Sequence, residues 1–286
     1  MAYRLTKHHG LGNDFLVLLG SSADTSDVDA AAARRWCDRR RGIGADGLLV
    51  GTDGEGAAGS AVDLVMTLFN ADGSRAEMSG NGIRCLAQAE ARRRGVETVE
   101  LRIATDGGIR SVAVEPDPAA VDQATVLATV DMGSAAAGPE PDIELTHDPA
   151  DLGTAEALAL SPRAQVTVDL GNPHLVLLVD DPEAVDLVAA GSLHEAAYSH
   201  GINVHAVAPT VGQRDALTVR VWERGVGATD ACGTGAAAAA HAAHEWGLVG
   251  RQVTVHMPGG DIEVTVDDPI MLTGPATYVA TVELDA

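Results

Sequence analysis

The apolar positions of the chain follow two periods, and the shorter one dominates. The stretches VDLVMTLFN (62–70), VETVELRIAT (96–105) and IRSVAVEP (109–116) alternate apolar with polar residues or run apolar, and they are rich in β-branched side chains. Turn-forming residues separate them, which is the pattern of β-strands. Similar stretches recur in the second half, as QVTVDLGN, HLVLLVDD, LTVRVWE, QVTVHMPGG and IEVTVDD. Their hairpin-like spacing predicts antiparallel or mixed sheets.

Two segments have helical character instead, one in each half of the chain. GNGIRCLAQAEARRRG begins directly after Ser79 and ends at Gly95, and GTGAAAAAHAAHEWG begins directly after Cys232 and ends at Gly247. A glycine after the last turn is a common helix stop. The second segment is almost entirely alanine and histidine, so neighbouring elements can approach it from every side. Such a helix is suited to the middle of a curled sheet.

The two halves share a weak internal repeat. GNDFLVLL (12–19) matches GNPHLVLL (171–178). FNADGSRAEMSGNG (69–82) matches WERGVGATDACGTG (222–235). Both matches occur in the same order and at nearly equal separations, so we interpret them as the trace of a duplication. The second match aligns Ser79 with Cys232.

The repeat and the strand pattern together predict an α/β (α+β) fold of two pseudo-symmetric domains. Each domain is expected to be a mainly antiparallel sheet wrapped around a central helix. The first is predicted at 1–130, with a C-terminal strand at 276–286 returning to it, and the second at 131–275. The boundary is expected near 132–149, a stretch rich in Ala, Gly, Pro and Asp.

Composition narrows the class of protein. The chain has 286 residues, 46% of them apolar, which is enough for two domains with substantial cores. A formal net charge of −22 argues against nucleic acid or an anionic membrane surface as a partner. No apolar run approaches ~18 residues and no secretory signal is recognised, so we expect a soluble, cytoplasmic protein. Cys37, Cys85 and Cys232 are too few and too scattered for a disulfide framework or a zinc site, and no metal is predicted.

The two predicted helix starts carry the candidate chemistry. A helix N-terminus has unpaired N–H groups and partial positive charge, so it favours anions. Ser79 is a favoured N-cap residue, and a capping role competes with a catalytic one. Cys232 is not a favoured cap, and a helix N-terminus lowers the pKa of a thiol, so a reactive thiolate is expected. Two protic side chains facing one cleft could invert a stereocentre without a cofactor, one removing a proton and the other delivering one.

Further candidates flank these loops. Glu223 and Arg224 begin nine residues before Cys232, and they could engage the ammonium and carboxylate groups of an amino acid or form a surface ion pair. His174 stands beside Asn172 at the start of a strand. The GIGADG segment has the glycines of a dinucleotide loop but no strand enters it, so no dinucleotide site is predicted.

Taken together, the motifs resemble the diaminopimelate epimerase family along nearly the whole chain. They are HGLGNDF, DRRRGIGADG, FNADGSRAEM followed by GNGIRCLA, GNPH, INV, ERGVGATDACGTGA and LTGPA. The resemblance implies cofactor-independent interconversion of LL- and meso-diaminopimelate, a small diamino dicarboxylic acid of lysine and peptidoglycan biosynthesis. It also implies a homodimer.

The resemblance also implies roles for particular residues. Two cysteines act as the acid–base pair in the family, at the positions of Ser79 and Cys232, and positions 174 and 223 assist them. The implied substrate contacts are Asn13, Asn70, Gly80, Asn81, Asn172, Asn203, Glu223, Arg224, Gly233 and Thr234, and the assisting residues are His174 and Glu223.

Position 79 departs from the family pattern, because it holds serine instead of cysteine. Cys85 cannot substitute, since six helical residues place it about 9 Å along the axis and about 240° around it. Three interpretations remain: a Cys→Ser change that blocks turnover, an enzyme in which Ser79 donates the proton and Cys232 is the base, or a relative that epimerises or dehydrates another amino acid. A fourth, from a different class, is a non-catalytic amino-acid-binding protein.

Overall fold

The computed structural model describes four stretches of the chain, at 2–54, 62–121, 123–143 and 162–285. It divides into two compact units, one made of Met1–Asp131 and Thr273–Ala286 and the other of Met132–Leu272. Part of the predicted boundary stretch, 144–149, lies outside the described residues. In these four stretches, no helix has the length and apolar content needed to cross a membrane.

The first unit is built mainly of strands. Its elements are β1 (Ala2–Gly10), β2 (Asn13–Gly20), α1 (Ala30–Cys37), β3 (Gly47–Asp53), β4 (Leu64–Asn70), β5 (Arg75–Ala76), α2 (Gly80–Arg94), β6 (Val99–Thr105), β7 (Gly108–Pro116), β8 (Thr125–Asp131) and β17 (Met271–Asp285). Eight of the strands pair in a closed ring, in the order β1-β2-β3-β4-β6-β7-β8-β17 and back to β1. The short strand β5 pairs with β4.

Helix α2 lies within this ring of strands. Every residue from Gly80 to Ala91 is buried, and the helix contacts β1, β2, β3, β7 and β8. The helix ends at Gly95, which adopts a left-handed φ of 67° and donates its N–H to the Ala91 and Arg92 carbonyls. The predicted start after Ser79 and the predicted stop at Gly95 are both confirmed.

The second unit repeats this construction. Its elements are β9 (Ala136–Ala137), β10 (Ala164–Asp169), β11 (Pro173–Leu178), a 3₁₀ turn (Pro182–Ala184), α3 (Leu187–Ala196), β12 (Asn203–Pro209), β13 (Ala216–Glu223), β14 (Gly227–Thr229), α4 (Gly233–Glu245), β15 (Gln252–Met257) and β16 (Gly260–Thr265). Helix α4 contacts β10, β11, β12, β13, β15 and β16, and its alanines are buried. Because alanine adds only a methyl group, these strands can pack closely around it.

The order of strand pairings is the same in both units. In the first unit β1–β2 is antiparallel, β2–β3 parallel, β3–β4 antiparallel, β4–β6 parallel and β6–β7 antiparallel. In the second unit β10–β11, β11–β12, β12–β13, β13–β15 and β15–β16 follow the same alternation. The predicted fold class, two pseudo-symmetric domains with mainly antiparallel sheets around a central helix, is therefore confirmed.

Two helices, α1 and α3, were not among the predicted elements. Helix α1 spans 8 residues and is fixed by Asp29, whose carboxylate accepts hydrogen bonds from the Ala31 and Ala32 N–H groups. Helix α3 spans 10 residues and contains Gly191. Such short segments present too few turns for an apolar period to be distinctive.

Candidate active site

Ser79 is the N-cap of α2. Its backbone is extended, with φ −139° and ψ 122°, and its hydroxyl oxygen accepts a hydrogen bond from the Gly82 N–H at 3.1 Å. A Cβ on Gly82 would lie 3.2 Å from the Ser79 Cβ and 3.4 Å from the Leu49 side chain. The glycine therefore lets the first turn of the helix close around the cap.

A chain of polar side chains leads away from this cap. The Asn13 amide nitrogen donates to the Asp46 carboxylate at 2.9 Å, and the Asn81 amide nitrogen donates to the Asn13 Oδ1 at 3.2 Å. Arg84 in turn donates to the Asn81 Oδ1 at 2.9 Å. The bonds all point the same way, from a guanidinium through two amides to a carboxylate. Asn13 and Asn81, both implied substrate contacts, are thus held in fixed orientations.

The Arg84 guanidinium is fully buried beneath the start of α2. Besides Asn81, it donates to the Gly80 carbonyl at 3.1 Å and the Pro275 carbonyl at 3.3 Å. Burial lowers the pKa of Arg84 to about 10, so the group is still charged at neutral pH. It adds a cation to the positive end of the helix, which favours a bound anion.

Asn70 lies at the end of β4, opposite Gly47 in the neighbouring strand. Its amide nitrogen donates to the Ser74 hydroxyl at 3.0 Å. Gly47 has no room for a side chain, because a Cβ would lie 2.8 Å from the Phe69 carbonyl oxygen. In the first unit the structure therefore connects Asn13 with Asn81 directly, whereas Asn70 is held by its own turn.

Cys232 caps α4 in the same way that Ser79 caps α2. Its backbone is extended, with φ −132° and ψ 114°, and its sulfur accepts from the Gly235 N–H at 3.4 Å. The Thr234 hydroxyl lies 3.4 Å from the same sulfur. The thiol is buried, with only 6% of the residue exposed. A backbone N–H and a threonine hydroxyl thus converge on the sulfur at the helix start.

The predicted thiolate is wrong for this state of the protein. Burial, and after it the charge of Glu223, raise the pKa of Cys232, and a hydrogen bond between Glu223 and the thiol acts in the same direction. The bonds from Thr234 and Gly235 oppose this shift without outweighing it. The prediction of a thiolate rested only on the effect of the helix N-terminus on the thiol pKa. Cys232 is therefore a thiol beside a carboxylate, and Glu223 is fixed in turn by the Thr229 hydroxyl at 2.7 Å.

Asn172 and His174 join the Cys232 cap through hydrogen bonds. The Asn172 amide nitrogen donates to the Thr234 hydroxyl at 3.3 Å, and the Asn172 Oδ1 lies 3.0 Å from the His174 Nε2. The His174 Nδ1 lies 2.8 Å from the Nε2 of a second buried histidine, His205. Burial lowers the pKa of His174 well below its usual range and that of His205 to about 3. Both rings are neutral at pH 7.

Asn203 and Arg224 have mainly backbone partners in this structure. The Asn203 amide donates to the Pro173 carbonyl at 2.8 Å and its Oδ1 accepts from the Arg224 N–H at 3.0 Å. The exposed Arg224 side chain donates to the His200 carbonyl at 3.3 Å. These contacts fix the backbone around Glu223.

The remaining thiols are separate from these caps. Cys37 and Cys85 are free and buried, and burial raises the pKa of each to about 12. Within the described parts of the chain, no group of three or more His, Cys, Asp or Glu side chains is arranged to hold a metal ion.

Sequence reasoning missed Asp46, Arg84, Thr229 and His205 in these networks. His205 had a local sign, since Asn203 and His205 alternate as polar residues within the buried strand β12. Arg84 had one too, because it is a charged residue directly after Ile83 near the start of the predicted central helix. Asp46 and Thr229 had no such local signal, because their partners Asn13 and Glu223 lie on other strands.

Comparison with known proteins places the chain among enzymes. The family model described as Diaminopimelate epimerase matches residues 5–137 and 166–279. Diaminopimelate epimerase 1 of Nostoc sp. is 37% identical, covering 99% of this chain and 100% of that one. Diaminopimelate epimerase of Synechococcus elongatus is 39% identical, covering 98% and 97%.

Solved structures share the fold at low identity. A hydroxyproline epimerase from Agrobacterium vitis superposes with a TM-score of 0.72 at 14% identity, covering 99% of this chain and 92% of that one. A PhzF-family phenazine biosynthesis protein from Bacillus anthracis gives 0.69 at 14%, with both chains fully covered. The full-length sequence matches go further than this shared fold, and by them the chain belongs to the diaminopimelate epimerase family.

Proposed function

We propose that this protein interconverts LL-2,6-diaminopimelate and meso-diaminopimelate by proton transfer at the α-carbon, without a cofactor. The observation that carries the proposal is the Cys232 cap, a buried thiol that is hydrogen-bonded to Glu223 at the start of a helix. The names of relatives at 37–39% identity over almost the whole chain support the choice of substrate. The product would serve lysine and peptidoglycan precursor synthesis.

In the proposed mechanism Cys232 is the base for one isomer. The thiol gives its proton to Glu223, and the resulting thiolate removes the α-hydrogen of the substrate. The Thr234 hydroxyl and the Gly235 N–H, which already contact the sulfur, stabilise the negative charge of the thiolate. The raised pKa of Cys232 keeps the thiol protonated in the resting protein, and the neighbouring Glu223 can accept that proton when the substrate reacts.

Ser79 would deliver a proton to the opposite face of the α-carbon. A serine hydroxyl is a far weaker acid than a thiol, whose ordinary pKa is about 8.5. We therefore expect slower turnover than in a member with two cysteines. The Gly82 N–H, which bonds the Ser79 oxygen, would stabilise the oxygen as it loses its proton.

The substrate carboxylates and ammonium groups would be bound by the residues around the two caps. At the start of α2, the backbone N–H groups and the buried Arg84 cation would favour a carboxylate, with contacts from Gly80, Asn81, Asn13 and Asn70. At the start of α4, the contacts would come from Gly233, Thr234, Asn172 and Asn203, with Glu223 and Arg224 pairing with ammonium and carboxylate. His174 would orient Asn172. We further propose that the protein is a cytoplasmic homodimer.

Incubation with LL-diaminopimelate followed by chiral chromatography tests the proposal. We expect meso-diaminopimelate to form, and we expect Cys232→Ala to slow its formation by about 10³-fold. Proline, trans-4-hydroxyproline and histidine serve as alternative substrates in the same assay. Measurable binding of diaminopimelate with no product from any substrate would instead indicate a binding protein.

Ser79 favours one alternative within the same scaffold. A thiol base opposite a weak acid can remove and return a proton on one face without inverting the centre. Such chemistry suits an isomerase or dehydratase acting on another substrate, and Methylitaconate-delta-isomerase shares the fold with a TM-score of 0.59 at 13% identity. Deuterium exchange into a substrate with complete retention of configuration would support this alternative.

A further inference from the structure

His205 occupies an unusual position behind the Cys232 cap. It lies on β12, it is fully buried, and its Nε2 is 2.8 Å from the His174 Nδ1. Its other ring nitrogen, Nδ1, is buried and has no hydrogen-bond partner among the described residues. A buried polar atom without a partner is rare and calls for a physical reason.

The unpartnered nitrogen limits how protons are placed along the chain of hydrogen bonds. If Asn172 donates to Thr234, its Oδ1 must accept from the His174 Nε2–H, which makes the His174 Nδ1 an acceptor. The His205 Nε2 then carries the proton, and its Nδ1 is a bare lone pair. If the Asn172 amide were reversed, every bond would reverse, and the His205 Nδ1 would be a buried N–H with no acceptor.

The surroundings of His205 favour the first arrangement. A Cβ on Gly235 would lie 2.3 Å from the His205 Cε1 and 2.9 Å from its Nδ1, so the ring rests directly on the first turn of α4. The backbone there carries partial positive charge, which favours a lone pair over an N–H. Orphaned N–H groups are also rarer in proteins than under-satisfied acceptors.

We propose that His205 is a positioning residue that sets the direction of this chain of hydrogen bonds. Its Nε2–H donates to His174, His174 donates to Asn172, and Asn172 donates to Thr234. The Thr234 oxygen is thereby occupied as an acceptor, and its own proton is directed to the Cys232 sulfur, 3.4 Å away. His205 therefore helps to stabilise the Cys232 thiolate without touching the substrate.

The chain offers a matched pair of variants. His205→Gln places an amide N–H near the position of the Nε2–H and can still donate to His174. His205→Met has a similar volume and no donor. A purely structural role for His205 would make the two variants behave alike, whereas a directional role separates them.

The first measurement is the tautomer of both histidines in the unmodified protein, from ¹⁵N chemical shifts of the ring nitrogens. We expect the Nε2–H form for His174 and for His205, and the Nε2–H form of His174 retained in His205→Gln. An Nδ1–H tautomer at either histidine of the unmodified protein would overturn the proposal. This measurement needs no substrate, so it does not depend on the proposed function.

The second measurement is the rate of Cys232 alkylation by iodoacetamide at fixed pH, followed by mass spectrometry of the Cys232 peptide. We expect His205→Met to slow alkylation about tenfold, the effect of one hydrogen bond, and His205→Gln to stay within about threefold of the parent. Equal rates in the two variants would overturn the proposal. The kinetic counterpart, a similar fall in kcat for diaminopimelate epimerisation, rests on the proposed function. If no protein form turns over, the proposed function fails while the alkylation result still decides this inference.

Discussion

The two helix caps are built on the same backbone but have different side chains behind them. The parallel pair β2–β3 of the first unit begins at Phe15, and the parallel pair β11–β12 of the second unit begins at His174. Phe15 therefore corresponds to His174, and by the same register Leu49 corresponds to His205. Leu49 and His205 each face the glycine of the first helical turn. At the glycine of the first helical turn, the Ser79 cap is therefore backed by Leu49, whereas the Cys232 cap is backed by His205, which is hydrogen-bonded to His174.

The charges of the two caps also differ. Beneath Ser79 the buried Arg84 supplies a cation, while the same position of α4 is Ala237. Beside Cys232 stands Glu223, at the position that Asn70 occupies in the first unit. The first cap thus has a cation beneath it, whereas the second has a carboxylate beside it that can accept the thiol proton. A duplicated scaffold has kept its geometry while its two sites have diverged in chemistry.

The largest expected effect comes from removing the thiol. Cys232→Ala should lower kcat by about 10³-fold, because a general acid–base group contributes that order of rate. Steady-state kinetics with diaminopimelate measure the loss. Cys37→Ala is the matched control, since Cys37 is a buried thiol in α1 that has no part in the proposed proton transfer. Equal loss in both variants would show that the effect comes from stability and not from chemistry.

Making the two caps alike should raise activity. Ser79→Cys replaces the weak acid with a thiol, and we expect kcat to increase by about 10²-fold. Ser79→Ala, which removes the proton donor, should abolish inversion. If Ser79→Cys were no faster than the parent, the serine would not be the group that limits proton delivery.

Glu223→Gln tests the charge difference between the caps. Removing the carboxylate eliminates one cause of the raised thiol pKa, so the pH midpoint of Cys232 alkylation should move to lower pH. Epimerisation should still slow by about tenfold or more, because the acceptor for the thiol proton is lost. An unchanged alkylation profile would contradict the contact between Glu223 and the thiol.

The smallest effect concerns stability against acid. Folded His8 has a pKa of about 4 and His205 one of about 3, whereas an unfolded histidine titrates near 6.5. Between pH 6.5 and 4 the unfolded chain binds more protons, so the free energy of unfolding falls as the pH is lowered, by up to about 1.4 kcal/mol per pH unit for each such histidine. Urea denaturation at pH 7 and pH 5 measures this slope. His205→Gln should have a shallower slope, and an identical slope would contradict the buried neutral state of His205.

The central helices could be predicted from sequence because their limits are local. Ser79 and Cys232 mark the starts, and Gly95 and Gly247 follow the last turns, so a few adjacent residues decide each limit. The repeat added the correspondence of the two caps, which no single loop could have supplied.

The electrostatics of the caps could not be predicted in this way. The partners His174 and His205 are 31 residues apart, and Asn13 and Asp46 are 33 apart, brought together only by strand pairing. The helix-dipole rule predicted a lowered pKa for Cys232 because it takes only the neighbouring backbone into account. Burial of the thiol and the charge of Glu223 raise that pKa instead. Local sequence patterns therefore predicted where Ser79 and Cys232 lie, whereas tertiary packing determines the protonation state of Cys232.

The most direct test of the central claim is deuterium incorporation during turnover in D₂O. For the isomer whose α-hydrogen faces Cys232, we predict that exchange with retention exceeds inversion in the parent protein. In Ser79→Cys inversion should become the major outcome. Equal partition between retention and inversion in both proteins, or no exchange in either, would contradict the account of one strong and one weak proton-transfer cap.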